Sequence, residues 1–515
     1  MVAVGALALI GRAALAPFLP VREPLVTDEF SYLLAADTFA SGRFTNPPHP
    51  MWKHLESIHI LQQPTYMSMY QPAQGLVQAA GIRLAGHPLA GVYLSAALMC
   101  AAICWMLQGW LPPRWALLGG LLVVLRLGLF SYWMNSYWGG AATAIGGALV
   151  LGALPRMMKR LRLRYTLIMG LGTAILAASR PYEGGVMCMA VGAVLLTWLL
   201  GKNRPRVSVS LGRFFLPMLL MLSLTVAGIG YYFFRVTGSP FHLPEEVQRI
   251  PYGMAPIFLW QSAGPEPAYR HQALHDFYAV WEVKEVLPEI RSIGGLIWNA
   301  LKKLIGAWVF FLGPALTVPL LFLPRIIKRD RRMRILVIVG AVTLIAIELD
   351  AWFYAHYLAP IAGLLFAIVV QGLRHLRVWR RQRGLMLARA IPAICVAMIA
   401  IRLAAHPLGL QFPPAWPMTW YHTPKGNVAR ARVLARLSTM EGGQLAIVRY
   451  RPDHNAVMNE WVYNRADIDG AKVVWAREMD AAENHDLLQY FHDRHAWLVE
   501  ADETPPKLSP YPTPK

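Results

Sequence analysis

Charge is scarce in this chain. Only 15% of its 515 residues are charged, against about 25% in an average soluble domain. That shortfall excludes a molecule whose whole surface faces water. It fits one that faces lipid, where a charge is costly. Cysteine is scarce too. Cys100, Cys104, Cys188 and Cys395 all lie in apolar stretches, which excludes a disulfide framework and a paired-cysteine metal site. Cys100 and Cys104 read as buried small hydrophobes. No internal repeat of roughly 20–50 residues is visible, and the C-terminal portion has no Gly-rich phosphate loop.

What is present is apolar and basic: 56% of residues are hydrophobic and the formal net charge is +20. Such a charge can signal nucleic acid. Here Lys and Arg cluster between apolar segments, as in the cytoplasmic loops of membrane proteins, so nucleic acid is excluded as a partner. Apolar runs of roughly 17–25 residues can span a hydrocarbon core. They fall near 2–19, 88–110, 115–132, 137–155, 165–179, 184–200, 214–235, 296–323, 335–349, 360–376 and 385–405. The first carries Arg12 and has no basic start, so it reads as an uncleaved helix and not a signal peptide. Residues 72–86 are apolar but short and contain Arg83; they read as a helix lying against the membrane. The fold class expected is a polytopic α-helical membrane protein of about 11 transmembrane helices.

Basic clusters at 156–164, 202–213, 325–334 and 374–389 fall on one side, which the positive-inside tendency makes cytoplasmic. The N-terminus is then cytoplasmic. The first long loop, 20–87, the loop 236–295 and everything after 405 face outward, which in a bacterium is the periplasm across the inner membrane. Residues 406–515 read as a small soluble α/β domain. Strands are expected at 444–450, 472–477 and 495–500, with a helix over 482–492. A cap or docking role suits that domain.

Polar motifs from distant parts of the chain fall on this outer side. Asp28-Glu29 follows the first span; a carboxylate there can accept a proton from an acceptor hydroxyl or amine, or the pair can simply start an interfacial helix. The stretch Lys53-His54-Leu55-Glu56-Ser57-Ile58-His59 is dense in polar groups for a membrane loop. His54, Glu56 and His59 could ligate a divalent metal with Asp28, but the spacing matches no metal pattern, and hydrogen bonding to a sugar or to loop backbone is preferred. Arg180 and Glu183 sit at an outer helix end, where Arg binds phosphate oxygens or pairs with its neighbour. His356 and Tyr357 lie at another outer end, where His can donate to a phosphate or aromatics can anchor the interface. Arg126 and Asn135 are further contacts of the phosphate and the sugar. A lipid-phosphate substrate requires such an arrangement: cations for the phosphate, a carboxylate for the nucleophile, an apolar groove for the tail.

On Asp28-Glu29, Gln71-Pro72-Ala73-Gln74-Gly75, Arg180-Pro181 and His356-Tyr357-Leu358-Ala359-Pro360, the chain resembles the GT-C membrane glycosyltransferases. It looks closest to the protein O-mannosyltransferase and aminoarabinose-transferase group, over roughly residues 1–375. The resemblance implies a polyprenyl-phosphate sugar donor, a lipid, glycan or protein acceptor, and inversion at the anomeric carbon. It implies Asp28 as base, Glu29 as its assistant, and Arg180 and His356 as holders of the leaving phosphate. The family often has an Asp in the second outer loop, where this chain has Asn135; an amide is a poor metal ligand, so no cofactor is expected. Two other classes compete: a lipid or glycan transporter or flippase, and a non-catalytic membrane scaffold. A transporter places its ionisable groups near the midplane in repeated halves, and this sequence shows neither.

Overall fold

The computed structural model describes residues 1–19, 21–202, 204–405, 408–409, 419–421 and 423–512. Each of the expected spans coincides with a helix. Among the described residues, seven helices are long and apolar enough to cross a membrane: Pro88–Trp110, Ala141–Lys159, Pro181–Leu200, Val207–Thr237, Ile293–Arg329, Ala355–Val378 and Gln382–Ala405. Four more lie on expected spans but are shorter or carry charge at an end: Val2–Ala14, Pro113–Leu127, Leu163–Ala177 and Arg331–Glu348. The protein is a multi-pass membrane protein.

Local chemistry sets the helix ends. Proline occupies the first turn at Pro88, Pro113 and Pro181, where its missing N–H is no loss. Gly238 closes Val207–Thr237 with φ +83°, a left-handed cap that glycine adopts without strain. Asp330 caps Arg331–Glu348 by accepting from the Arg332 and Met333 amides. Pro88–Trp110 lies at the centre of the bundle and packs on Val2–Ala14, Pro72–Ala85, Pro113–Leu127 and Ala141–Lys159. Gly147 brings the turn Ala355–Ile361 against Ala141–Lys159; a Cβ there would stand 1.9 Å from the Pro360 carbonyl oxygen. That contact fixes where His356 sits.

The helix Pro72–Ala85 has 14 residues, about 21 Å at the α-helical rise, and carries Arg83 in its last turn. The helix Thr27–Ala40 departs from expectation. It is not an interfacial helix with one face in lipid, because Phe30, Leu34, Ala35 and Ala36 are all buried and Phe30 stacks on Tyr463 at 4.2 Å.

The C-terminal elements match the sequence reading within one or two residues. Gly443–Arg449 is central, parallel to Val473–Arg477 on one side and to Arg494–Glu500 on the other, with Lys507–Pro510 antiparallel at the far edge. The helices are Val428–Ser438 and Ala481–Tyr490. The expected domain start at 406 lies outside the described residues. The sheet sits on the first loop. Arg477 Nε donates to the Glu56 carbonyl at 2.8 Å, and Ser57 Oγ donates to the Val462 carbonyl at 2.5 Å.

Arg477 and Glu460 form an ion pair at 2.9 Å with side chains 2% and 1% exposed. Removing one partner strands the other charge in the interior. Arg477→Ala is predicted to destabilise the protein by ~3–5 kcal/mol, and Arg477→Met with Glu460→Leu to recover most of that loss. Chemical unfolding in detergent, followed by tryptophan fluorescence, measures both.

Candidate active site

Asp28 is the second residue of the helix Thr27–Ala40, so its side chain stands at the helix's open end, where anions are favoured. Its Oδ1 accepts from the Tyr70 hydroxyl at 2.5 Å. Its Oδ2 lies 3.7 Å from His59 Nδ1. The carboxylate keeps 19% exposure and, with His59 and Tyr70, helps to line a cavity of about 270 Å³. Burial pushes the Tyr70 hydroxyl well above its ordinary range, and the Asp28 charge adds to this. Tyr70 therefore stays a donor.

His59 holds this corner together. Its Nδ1 lies 3.0 Å from Thr27 Oγ1 and 3.2 Å from the Tyr70 hydroxyl, and its carbonyl accepts from Ser31 at 2.7 Å. Its φ is +63°, a strained value for a residue with a Cβ. Burial lowers its pKa to about 4 against the pull of Asp28, so the imidazole is neutral at pH 7.

The opposite wall is built from helix ends. Arg180 precedes Pro181–Leu200. It pairs with Glu183 at 3.3 Å and lies over the Tyr357 ring at 3.5 Å. Its Nη2 is buried and has no hydrogen-bond partner among the described residues. A buried guanidinium N–H without an acceptor is costly, and an anion in the cavity would remove the cost. Glu183, His356 and Tyr357 line the same cavity. His356 Nδ1 lies 3.0 Å from the Tyr132 hydroxyl.

The long loop and the turn after Glu348 supply the rest: Glu245, Arg249, Glu282 and Asp350. Arg249 pairs with Glu282 at 3.3 Å. Burial, then the neighbouring Glu183, raises Asp350 to about 7; burial also raises Glu245 and Glu282. The chamber thus holds a carboxylate bound by the Tyr70 hydroxyl and, at 3.4 Å, the Thr27 hydroxyl, together with a guanidinium N–H of Arg180 that has no acceptor among the described residues.

No protein-family model matches the chain, and no curated protein matches it by sequence. Solved structures do match. The apo oligosaccharyltransferase of Archaeoglobus fulgidus aligns with a TM-score of 0.50 at 12% identity, over 97% of this chain and 69% of that one. Apo ArnT from Cupriavidus metallidurans aligns with a TM-score of 0.51 at 13% identity, over 97% of this chain and 93% of that one. The chain has the GT-C fold.

Within this GT-C fold the residues expected at the site divide. Asp28, His59, Arg180, Glu183, His356 and Tyr357 line one cavity. The other six do not. Glu29 has no exposure and takes both Arg22 Nη atoms, at 2.8 and 3.0 Å. Lys53 pairs with Glu483 at 2.9 Å. His54 reaches the Arg477 and Glu483 carbonyls at 2.9 and 3.0 Å. Glu56 accepts from Tyr252 at 2.6 Å and Arg270 at 3.1 Å. Arg126 donates to the Phe310 and Val309 carbonyls and stacks on Trp420. Asn135 donates to the Leu129 and Ser131 carbonyls.

The four-residue metal alternative fails on this geometry, because His54 and Glu56 face the C-terminal sheet and the long loop while Asp28 and His59 face the chamber. Among the described residues no three His, Cys, Asp or Glu side chains converge as ligands. Sequence reasoning missed Tyr70, Glu245, Arg249 and Glu282. For the last three the one available signal was the acid–base pattern Glu245-Glu246 with Arg249 in an otherwise aromatic, Pro-rich loop.

His59 carries a pH prediction. Its folded pKa, about 4, lies below the ordinary 6.5, so the unfolded chain binds the extra proton first. The stability that neutral His59 confers is complete above pH 6.5 and is lost as pH falls from there toward 4. Thermal unfolding across that window should show the loss, and His59→Gln should flatten the slope by up to one proton.

Proposed function

We propose that the protein is an inverting glycosyltransferase. It moves a hexose or pentose from a polyprenyl-phosphate donor to a lipid, glycan or protein acceptor, at the periplasmic side of the inner membrane. The observation that carries this reading is one chamber holding both Asp28 and the acceptorless Nη2 of Arg180, in a fold shared with an oligosaccharyltransferase and ArnT.

The reaction needs two things at once. The acceptor hydroxyl or amine must lose a proton, and the phosphate must leave with its electrons stabilised. Asp28 takes the proton as the acceptor oxygen or nitrogen bonds to the anomeric carbon. The bond from that carbon to the phosphate oxygen breaks on the far side, which inverts the centre. Arg180 hydrogen-bonds the departing phosphate, and Arg249 adds positive charge from the loop. Tyr70 holds Asp28 by Oδ1, and Oδ2, which has a long 3.4 Å contact from the Thr27 hydroxyl, is the oxygen that meets the acceptor. His356 offers a ring nitrogen for a hydrogen bond beside Arg180. These groups sit at helix ends and in loops, a placement that suits transfer at the membrane surface better than transport through its midplane.

The test is release of polyprenyl phosphate from a polyprenyl-phosphate hexose or pentose by the purified protein in nanodiscs, with bacterial membrane lipid and peptide as acceptors. Asp28→Asn is predicted to lower turnover by roughly 10²–10⁴ with unchanged circular dichroism and melting temperature. Tyr70→Phe removes a hydrogen bond to a charged group, worth about 1.5–3 kcal/mol, and is predicted to slow turnover roughly 10–100-fold. Full turnover by Asp28→Asn would eliminate the base role.

A further inference from the structure

A second cavity, about 570 Å³, has Arg22 of the Arg22–Glu29 pair in its lining. The end of the first helix, the start of Pro88–Trp110 and the linker into the C-terminal sheet form its walls. It shares no lining residue with the Asp28 chamber.

Its lining is cationic at three levels. Arg12 lies deepest and is 5% exposed. Its Nη2 donates to the Leu19 carbonyl at 3.1 Å and the Tyr93 hydroxyl at 2.9 Å, while its Nε is buried with no hydrogen-bond partner among the described residues. Arg22 follows, with Nη atoms committed to Glu29 and Nε likewise buried and without an acceptor. Lys425 and Arg432 stand exposed at the mouth and form no ion pair among the described residues. Glu23 is the one carboxylate residue in the lining apart from these. Buried guanidinium donors without acceptors, beneath exposed cations, fit the oxygens of a phosphate.

The mouth is also apolar. Phe18 and Val21 line it and are 59% and 62% exposed. They follow directly on the first apolar helix, where the membrane surface meets the protein. Large exposed apolar side chains beside a basic pocket at that level suit acyl chains leaving a bound headgroup. A water-soluble phosphate would have no use for them.

We propose that this cavity binds the phosphate headgroup of an anionic membrane phospholipid. The inference goes beyond the transfer reaction and does not rest on it. The headgroup phosphate sits against Arg12 with Lys425 and Arg432 over it, and the chains run past Phe18 and Val21 into the bilayer.

The test uses the full chain in nanodiscs of phosphatidylcholine and phosphatidylglycerol, extracted into detergent and weighed intact by native mass spectrometry. Wild type is expected to retain one phosphatidylglycerol. Lys425→Glu with Arg432→Glu, at exposed positions that leave the core alone, is expected to lower that occupancy roughly tenfold. Asp28→Asn is expected to retain the lipid as wild type does, which separates this site from the chamber and from the fate of the glycosyltransferase reading. Dihexanoyl phosphatidylglycerol should raise the melting temperature of wild type, and inorganic phosphate and dihexanoyl phosphatidylcholine should not. Equal retention by wild type and the double variant overturns the proposal. So does loss of the lipid in Asp28→Asn, or an equal thermal shift from inorganic phosphate, which would make the occupant a free anion.

Discussion

Glu29 has no solvent exposure, and its two oxygens accept from five N–H groups. Two come from Arg22, two from the Leu25 and Val26 amides, and one from the Tyr137 amide at 3.0 Å. Burying a carboxylate costs several kcal/mol, and only dense pairing of this kind offsets it. The pairing joins three distant segments: the stretch leaving the first helix, the start of Thr27–Ala40, and the loop before Ala141–Lys159. It thereby fixes the helix turn that carries Asp28. It also ties Arg22, in the lining of the second cavity, to the helix that carries Asp28 into the first. Tyr137 strengthens this tie by donating its hydroxyl to the Arg22 carbonyl at 2.9 Å.

This explains why two adjacent acids take different roles. Neighbouring residues on a helix point about 100° apart, so Asp28 and Glu29 cannot both face one chamber. The sequence reading treated them as a working pair. Helical geometry turned one of them to the chamber and left the other to hold the backbone. That distinction was available from periodicity, but which residue faced inward depended on Arg22 and Tyr137, whose approach only the folded chain reveals.

The same division runs through the rest of the site. Helix positions were legible because apolar length is a local property, and so were the strands of the C-terminal sheet. Arg180 and His356 were legible as charged or polar groups at helix ends, positions where a membrane protein keeps such groups for a reason. The polar density of residues 53–59 was visible, but its meaning was not. Lys53, His54 and Glu56 satisfy groups on the C-terminal domain and the long loop, partners up to 430 residues distant in sequence. His59 alone turns to the chamber, by a backbone angle of +63° that no periodicity announces. Arg126, inside an apolar run, looked like a phosphate ligand; it instead satisfies the carbonyls of residues 309 and 310, which a helix irregularity leaves open.

The chamber's charge poses a physical difficulty that its burial resolves. Asp28, Glu183, Glu245, Glu246, Glu282 and Asp350 outnumber Arg180 and Arg249 in its lining. A phosphate would be repelled if all six acids were ionised. Glu246 is turned to its own helix start, where it accepts from the Leu243 amide at 3.2 Å. Burial raises Glu245 and Glu282 and brings Asp350 to about 7, so these groups can carry protons when an anion enters. Desolvation thus acts oppositely on the two kinds of group. It pushes the surplus carboxylates toward their protonated form, while arginine stays protonated at any working pH. The low-dielectric wall therefore shifts the balance toward the cations, while Asp28 keeps the Tyr70 hydrogen bond and a share of solvent. A chamber rich in acids can in this way hold an anion at one end and a proton acceptor at the other.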